Sequence, residues 1–498
     1  MEKTNNTKQT LWLTFGQLAS LLIAVVSPMI LSRYLTKNDY GTYKQVMYVY
    51  SSLLAVFTIG LPKSYSYFIP RVPRTEVKSL INKITTIFIL LGIAFSSFLF
   101  LGAPIIAKLL KNPDLVLALK LFSIVPVLLL PTMGLEGVYA SFKKTHIVAI
   151  YTIASKVITI LLSIIPVIVF NGNYLHAIIG FDIGCLITFW VAIYLKNYPV
   201  KEEKHDRTNI GYRQIFAFSL PLLAASLWGM IINASDQFFI SRYFGNEVFA
   251  EFSNGYMEFP LISMIIVSMG TVLIPVFSEY SANNGNNDLL LQIWKSTLNK
   301  SIKIIYPIAF FCIFFSTTIM ICLYGDMYRN SGMFFAIKNI QALFCVVPFS
   351  PLILALGKTK EYSLAHMNTA ISVVILELIF VQINNTATSI AWVSLFCQFL
   401  KVILQMTIVI KSLRFSVKDL LDIKVILKCI SCCMVSCIFL YAINHLFVIS
   451  NSWICLFFDI CIFIGAYYAS CFVFKLTYKD ICSSITGDHF QKIIKFIP

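Results

Sequence analysis

The chain has 498 residues, of which 58% are hydrophobic and 12% charged, with a mean hydropathy of +0.80. Soluble domains carry about 25% charged residues, so this composition excludes a soluble globular protein and leaves little polar sequence for a catalytic domain. The net charge of +16 would suit nucleic acid if the basic residues were clustered, but they are spread in a regular alternation between apolar stretches.

A membrane span needs roughly 20 mostly apolar residues. Fourteen stretches read as spans, at about 11–32, 43–61, 84–107, 115–140, 147–170, 174–195, 214–240, 250–274, 302–324, 333–356, 366–383, 388–410, 425–447 and 452–474. The first is too long for a cleaved signal peptide, and Arg33-Tyr34 follows it where small residues would mark a cleavage site. With a cytoplasmic amino terminus, 27 Lys and Arg fall in inside segments and six in outside loops. That bias follows the positive-inside rule, predicts both termini in the cytoplasm, and supports an even number of spans.

The outside turns Asn171-Gly172-Asn173 and Asn384-Asn385-Thr386 are short. The two longest breaks are cytoplasmic. Residues 196–213 read as a hydrophilic linker, and residues 276–301 contain the flexible turn Asn283-Asn284-Gly285-Asn286-Asn287. The tail after Lys475 mixes Lys with Ile and Phe, as an amphipathic surface segment or a frayed end would. Twelve of the thirteen cysteines lie in spans and Cys482 lies in the tail, so no structural disulfide is expected. Cys429, Cys432, Cys433 and Cys437 read as small apolar filler on one helix.

The two halves look related. Ile30-Leu31-Ser32-Arg33-Tyr34-Leu35 ends the first span, and Phe239-Ile240-Ser241-Arg242-Tyr243-Phe244 ends the seventh, 209 residues on. At the same offset Tyr40-Gly41-Thr42-Tyr43 meets Phe249-Ala250-Glu251-Phe252. A duplicated six-helix unit has an even span number, so its copies are parallel repeats about an axis along the membrane normal. The expected organisation is a six-helix lobe over 1–198, a cytoplasmic linker at 199–213, a second lobe over 214–412, a helix pair over 413–476 and a cytoplasmic tail from 477 to 498.

Arg33-Tyr34-Leu35 through Asn38-Asp39-Tyr40-Gly41-Thr42-Tyr43 resembles the opening signature of bacterial polysaccharide flippases, and Asp236-Gln237-Phe238-Phe239-Ile240-Ser241 with Phe244-Gly245 resembles the start of their second half. These are the Wzx-type O-antigen and capsule-unit flippases of the MOP exporter superfamily. Thr36 departs from the pattern, standing where a Gly is common. The resemblance implies an all-α polytopic membrane protein with two pseudo-symmetric six-helix lobes in a V, as in MATE transporters, plus a carboxy-terminal helix pair that would form a groove for a lipid tail. It implies a transporter, not an enzyme, in the bacterial cytoplasmic membrane. The cargo would be an undecaprenyl-pyrophosphate-linked oligosaccharide, moved to the outer leaflet by alternating access. Membrane lipids, and a polymerase and chain-length regulator of the same pathway, are the implied partners; nucleic acid is not. No cofactor is expected, and H+ or Na+ movement is the candidate driving force.

Ionisable groups at membrane depth are costly and tend to face a cavity or a partner. Asp236, with Asn233 three residues earlier, is the first candidate for a coupling, gating or ligand contact, or else a helix-packing hydrogen bond. Arg33 and Arg242 occupy equivalent positions in the repeats; they could contact the pyrophosphate, close an outer gate or anchor the interface. Lys156 and Lys338 would make the cavity cationic, with Glu258 and Glu377 as neutralising carboxylates, and no metal site is expected. A multidrug exporter of the same superfamily is the alternative. A membrane-embedded polymerase fits less well, because no large outside loop gathers acid and base residues. No G-x-x-x-x-G-K-[ST] motif occurs, which argues against direct ATP use.

Overall fold

The computed structural model describes residues 6–201, 206–282, 287–446 and 451–478. Every regular element among them is helical, as a chain crossing lipid requires, because a helix pairs its backbone polar groups within itself. The chain forms two compact units that divide after Ala250.

The first unit contains α1 (Asn6–Tyr34), α2 (Lys37–Thr58), α3 (Pro62–Phe68), α4 (Arg74–Leu110), α5 (Leu115–Phe122), α6 (Val125–Leu129), α7 (Leu135–Ser141), α8 (Thr145–Val169), α9 (Tyr174–Asn197) and the greater part of α10 (Tyr212–Gly255). The second contains α11 (Pro260–Ala282), α12 (Asn287–Phe314), α13 (Ser316–Tyr324), α14 (Ser331–Ile340), α15 (Ser350–Ala355), α16 (Thr359–Ile383), α17 (Ala387–Leu413), α18 (Val417–Leu420), α19 (Ile423–Leu446) and α20 (Ser452–Val473). Eleven helical runs among the described residues are long and apolar enough to cross a membrane. The count of fourteen is therefore not reproduced. The expected seventh span lies inside the 44-residue α10. The eighth is interrupted before Pro260, where α11 begins. The tenth is broken into α14, a 3-10 turn and α15, with Pro348 and Pro351 at the break.

Local sequence explains several boundaries. Thr36 caps α2 by accepting a hydrogen bond from the Asp39 amide at 3.1 Å. Asn173 and His176 form a capping box at the start of α9, which accounts for His176 at that end. The fourth expected span is broken into α5, α6 and α7 around Pro126, Pro131 and Gly134. On α9, Gly180 and Gly184 face Leu162 and Thr159 of α8 and let the two backbones approach. The cysteines of α19 are buried, in keeping with apolar filler.

Two polar breaks differ from expectation. Residues 276–301 are helical on both sides of 283–286, which lie outside the described residues. Residues 206–210 of the linker are strapped along the start of α4, and 202–205 lie outside the described residues. Asp206 N donates to Thr75 O (3.1 Å), Thr208 N to Ser79 Oγ (3.2 Å), Asn209 N to a Glu76 carboxylate oxygen (3.1 Å), and Lys83 Nζ to Ile210 O (2.7 Å).

The sequence repeat reappears as a repeated break. Thr36 separates α1 from α2 with φ −61° and ψ 155°. Its counterpart Gly245 interrupts α10 with φ 81° and ψ 177°, a conformation open essentially to glycine alone. Gly245→Ala is expected to cost roughly 1–3 kcal/mol, read as reduced thermal stability of the purified protein. A variant as stable as the parent would show that this break is not held as described.

Candidate functional site

A buried polar network of the first unit joins α2, the turn after α4, and α10. Gln45 is wholly buried and Asn112 is 2% exposed. Asn112 Nδ2 donates to Gln45 Oε1 (2.6 Å) and to Thr42 Oγ1 (3.0 Å). Gln45 Nε2 donates to Ser241 Oγ (2.8 Å) and Asn246 Oδ1 (3.0 Å), and Asn246 Nδ2 donates to Asn38 Oδ1 (3.0 Å). Two turns deeper, the Tyr48 hydroxyl donates to Ala234 O at 3.0 Å. Gly41 makes the approach possible, since a Cβ there would lie 2.2 Å from Asn246 O. The network clasps α2 to the break in α10.

A second buried centre lies where α9 ends. Lys196 is 1% exposed. Its ammonium donates to Pro131 O (2.6 Å) and to the Tyr65 hydroxyl (3.0 Å), and lies 4.5 Å from the Tyr65 ring centroid and 5.6 Å from that of Phe88. Pro131 belongs to the broken fourth span, where the helix cannot supply a donor to every carbonyl. Lys196 therefore satisfies a carbonyl freed by the break, and the aromatic faces offset part of its desolvation.

The sequence-predicted residues are distributed among these surroundings. Arg33 is exposed in the last turn of α1. Arg242 donates to Leu109 O, in the last turn of α4, and its guanidinium carbon lies 5.7 Å from the Tyr243 ring centroid. A cation at a helix carboxy-terminal end is favourable. The two arginines thus share a repeat position, with Arg33 exposed and Arg242 partly buried. Asp236 is 3% exposed whereas Asn233 is exposed, so the edge of the buried face of α10 passes between them. Lys156 is exposed on α8.

In the second unit, Lys338 on α14 lies 4.7 Å from the Tyr256 ring centroid and within electrostatic reach of Glu258 and of Lys401 on α17. His366 on α16 is also beside Lys401. Lys338 is thus near both a glutamate and a second lysine, which leaves one basic residue in excess. Glu377 is fully buried on α16 one turn after Val373, which packs with Val393 and Cys397 of α17. Lys338 and Glu258 are thus within electrostatic reach of each other.

Also in the second unit, Phe259, Leu261, Pro307, Phe311, Ile460 and Phe463 line part of an apolar groove of about 470 Å³ between α11, α12, α13 and α20. The pair α19–α20 is held to α12 by a Phe311–Phe463 ring contact, and the segment following α20 by a hydrogen bond from Tyr478 to Lys303 O at 2.7 Å. Trp294 fixes the approach to that pair by donating its indole N–H to Leu420 O at 3.0 Å.

Comparisons with known proteins agree with this architecture. A family model described as "Polysaccharide biosynthesis protein" matches residues 7–281. An uncharacterized membrane protein, MJ1068, of Methanocaldococcus jannaschii is 22% identical over 362 residues, covering 69% of this chain and 71% of that one. The structure of the lipid II flippase MurJ in an inward closed conformation is similar at a TM-score of 0.70 and 16% identity, over 95% of this chain and 100% of that one. An inward-facing multidrug resistance MATE transporter of the MOP superfamily is similar at 0.61 and 11%, over 80% and 93%. At these identities the structural likeness shows the fold: all-helical, MurJ- and MATE-like, in a multi-pass membrane protein.

Proposed function

The chain belongs to the polysaccharide biosynthesis protein family, and from that premise we propose that it is a flippase for an undecaprenyl-pyrophosphate-linked oligosaccharide. It carries the repeat unit from the cytoplasmic to the outer leaflet by alternating access, for an O-antigen, capsule or exopolysaccharide. The apolar groove against α20 carries this reading. A polyprenyl chain stays in lipid while its headgroup crosses, and a groove with a continuous apolar lining guides such a chain without stranding a polar group. Leu261 and Ile464 are exposed along it, so the groove is open to lipid.

The net positive centre at Lys338 and Lys401 suits an anionic headgroup and disfavours the cationic cargoes of a multidrug exporter. In this reading residues 1–198 and 214–412 are the moving lobes, the last helix pair serves the lipid chain, and H+ or Na+ drives the cycle. Both termini lie in the cytoplasm of a bacterial inner membrane, and a polymerase and chain-length regulator of the same pathway take up the exported unit.

Deletion of the gene is expected to abolish one surface polymer and to accumulate complete lipid-linked repeat units inside the cell. Ile460→Trp, which narrows the groove without adding charge, is expected to restore less polymer than the wild-type gene. Unchanged glycans and lipid pools in the deletion, together with new sensitivity to several cationic drugs, would replace the flippase by a drug exporter.

A further inference from the structure

We propose that the hairpin α16–α17 carries a binding site for an anionic phospholipid of the cytoplasmic leaflet, separate from the cargo groove. Antiparallel packing leaves a lipid-facing furrow with a cavity at each end. The cavity near the connecting turn, about 490 Å³, is lined by Phe380, Trp392 and Phe396 with Asn384, Thr386 and Ser389, and no ionisable residue lines it. The cavity at the other end, about 430 Å³, brings Lys358 and Lys411 together with Asn368 and Thr407 above Leu364 and Leu404.

The same two helices thus offer an aromatic, uncharged end and a basic end. Both leucines are exposed to the surroundings. Two ammonium groups match a phosphodiester, Asn368 and Thr407 offer polar contacts for the glycerol, and the leucines meet the first acyl methylenes. Glu361 is the carboxylate of this cavity. It pairs with Lys358 at 3.5 Å, with both side chains 44% exposed, and such exposed pairs hold weakly. Lys411 keeps the balance positive. Basic pockets between helices at the cytoplasmic face suit anionic lipid headgroups. The leaflet assignment rests on the orientation proposed above.

The test uses the full-length protein in detergent and native mass spectrometry with phosphatidylglycerol and phosphatidylcholine. The wild type is expected to retain phosphatidylglycerol preferentially. The double variant Lys358→Gln, Lys411→Gln should hold it about thirtyfold more weakly, at roughly one lysine's worth of surface attraction each, with phosphatidylcholine unaffected. A Lys360→Gln, Lys424→Gln control, removing charge outside the cavity, should behave as wild type. Equal losses in both double variants would reduce the effect to diffuse surface charge and overturn the site. Wild-type retention by the Lys358/Lys411 variant would also overturn it. So would displacement of the lipid by millimolar inorganic phosphate, or stronger retention of undecaprenyl phosphate than of phosphatidylglycerol. A Ser412→Cys reporter should react with an impermeant maleimide in inside-out vesicles only. Reaction in intact cells would sink the orientation and the leaflet, while the lipid measurements would still decide the site.

Discussion

Replacing Gly41 by alanine is expected to release α10 from α2. The added carbon would lie 2.2 Å from Asn246 O and 2.8 Å from its carbonyl carbon, and both are backbone atoms that cannot rotate away. The turn at Asn246 must move, and with it the bonds from Gln45 to Ser241 and Asn246 and from Asn246 to Asn38. Each buried polar group left unpaired costs about 1–3 kcal/mol, so a loss of roughly 2–6 kcal/mol follows if Gln45 and Ser241 are stranded, while exposed Asn38 finds water. Ser241 is 1% exposed. A Ser241→Cys reporter should therefore resist an aqueous maleimide in the parent and react in the Gly41→Ala background. If the proposed flippase reading holds, export of the polymer should fall with it. Protection of the reporter and full export in the variant would show that the clasp is not a conformational contact.

The second large effect is expected at Lys196. Lys196→Ala removes a side chain held between two aromatic rings and strands Pro131 O, while the Tyr65 hydroxyl keeps its 2.9 Å hydrogen bond with Thr85 Oγ1. The lost volume and the orphaned carbonyl together cost on the order of 3–8 kcal/mol, enough to abolish monodisperse protein on extraction. Lys196→Met keeps most of the volume and strands mainly the carbonyl, so it should cost about 1–3 kcal/mol and remain purifiable at a lower unfolding temperature. A buried ion replaced by an apolar side chain is sometimes neutral, and the contrast with alanine then isolates packing from charge. Equal stability of Lys196→Ala and the parent would remove the clamp from the account of the broken fourth span.

Reading only ionisable groups at membrane depth picked out Asp236, Glu377, Lys338 and Glu258, and missed the neutral network. Gln45, Asn112, Ser241 and Asn246 carry no charge, so each alone is a small interruption of an apolar pattern. Their common signal was available in part: Gln45 falls in a span and Ser241 in the repeated Ser-Arg-aromatic motif. Lys196 and the linker were read as polar loop, since a hydropathy window cannot tell a lysine facing water from one folded back onto Tyr65. Asn233 and Asp236 were placed together by their spacing, yet the boundary of the buried face separates them.

The sequence by itself determined the membrane character, the first six spans and the repeated motif at a 209-residue offset. Hydropathy and charge are summed over neighbours in the chain, so they can be read locally. The breaks in the fourth and tenth expected spans were not legible in hydropathy, because Pro and Gly within an apolar run leave its mean hydropathy high. The tertiary structure alone decided which polar groups meet. Gln45 finds Ser241 across 196 positions and Lys196 finds Tyr65 across 131. A hydrogen bond acts only within about 3 Å, and which distant residues come that close is fixed by how the helices pack.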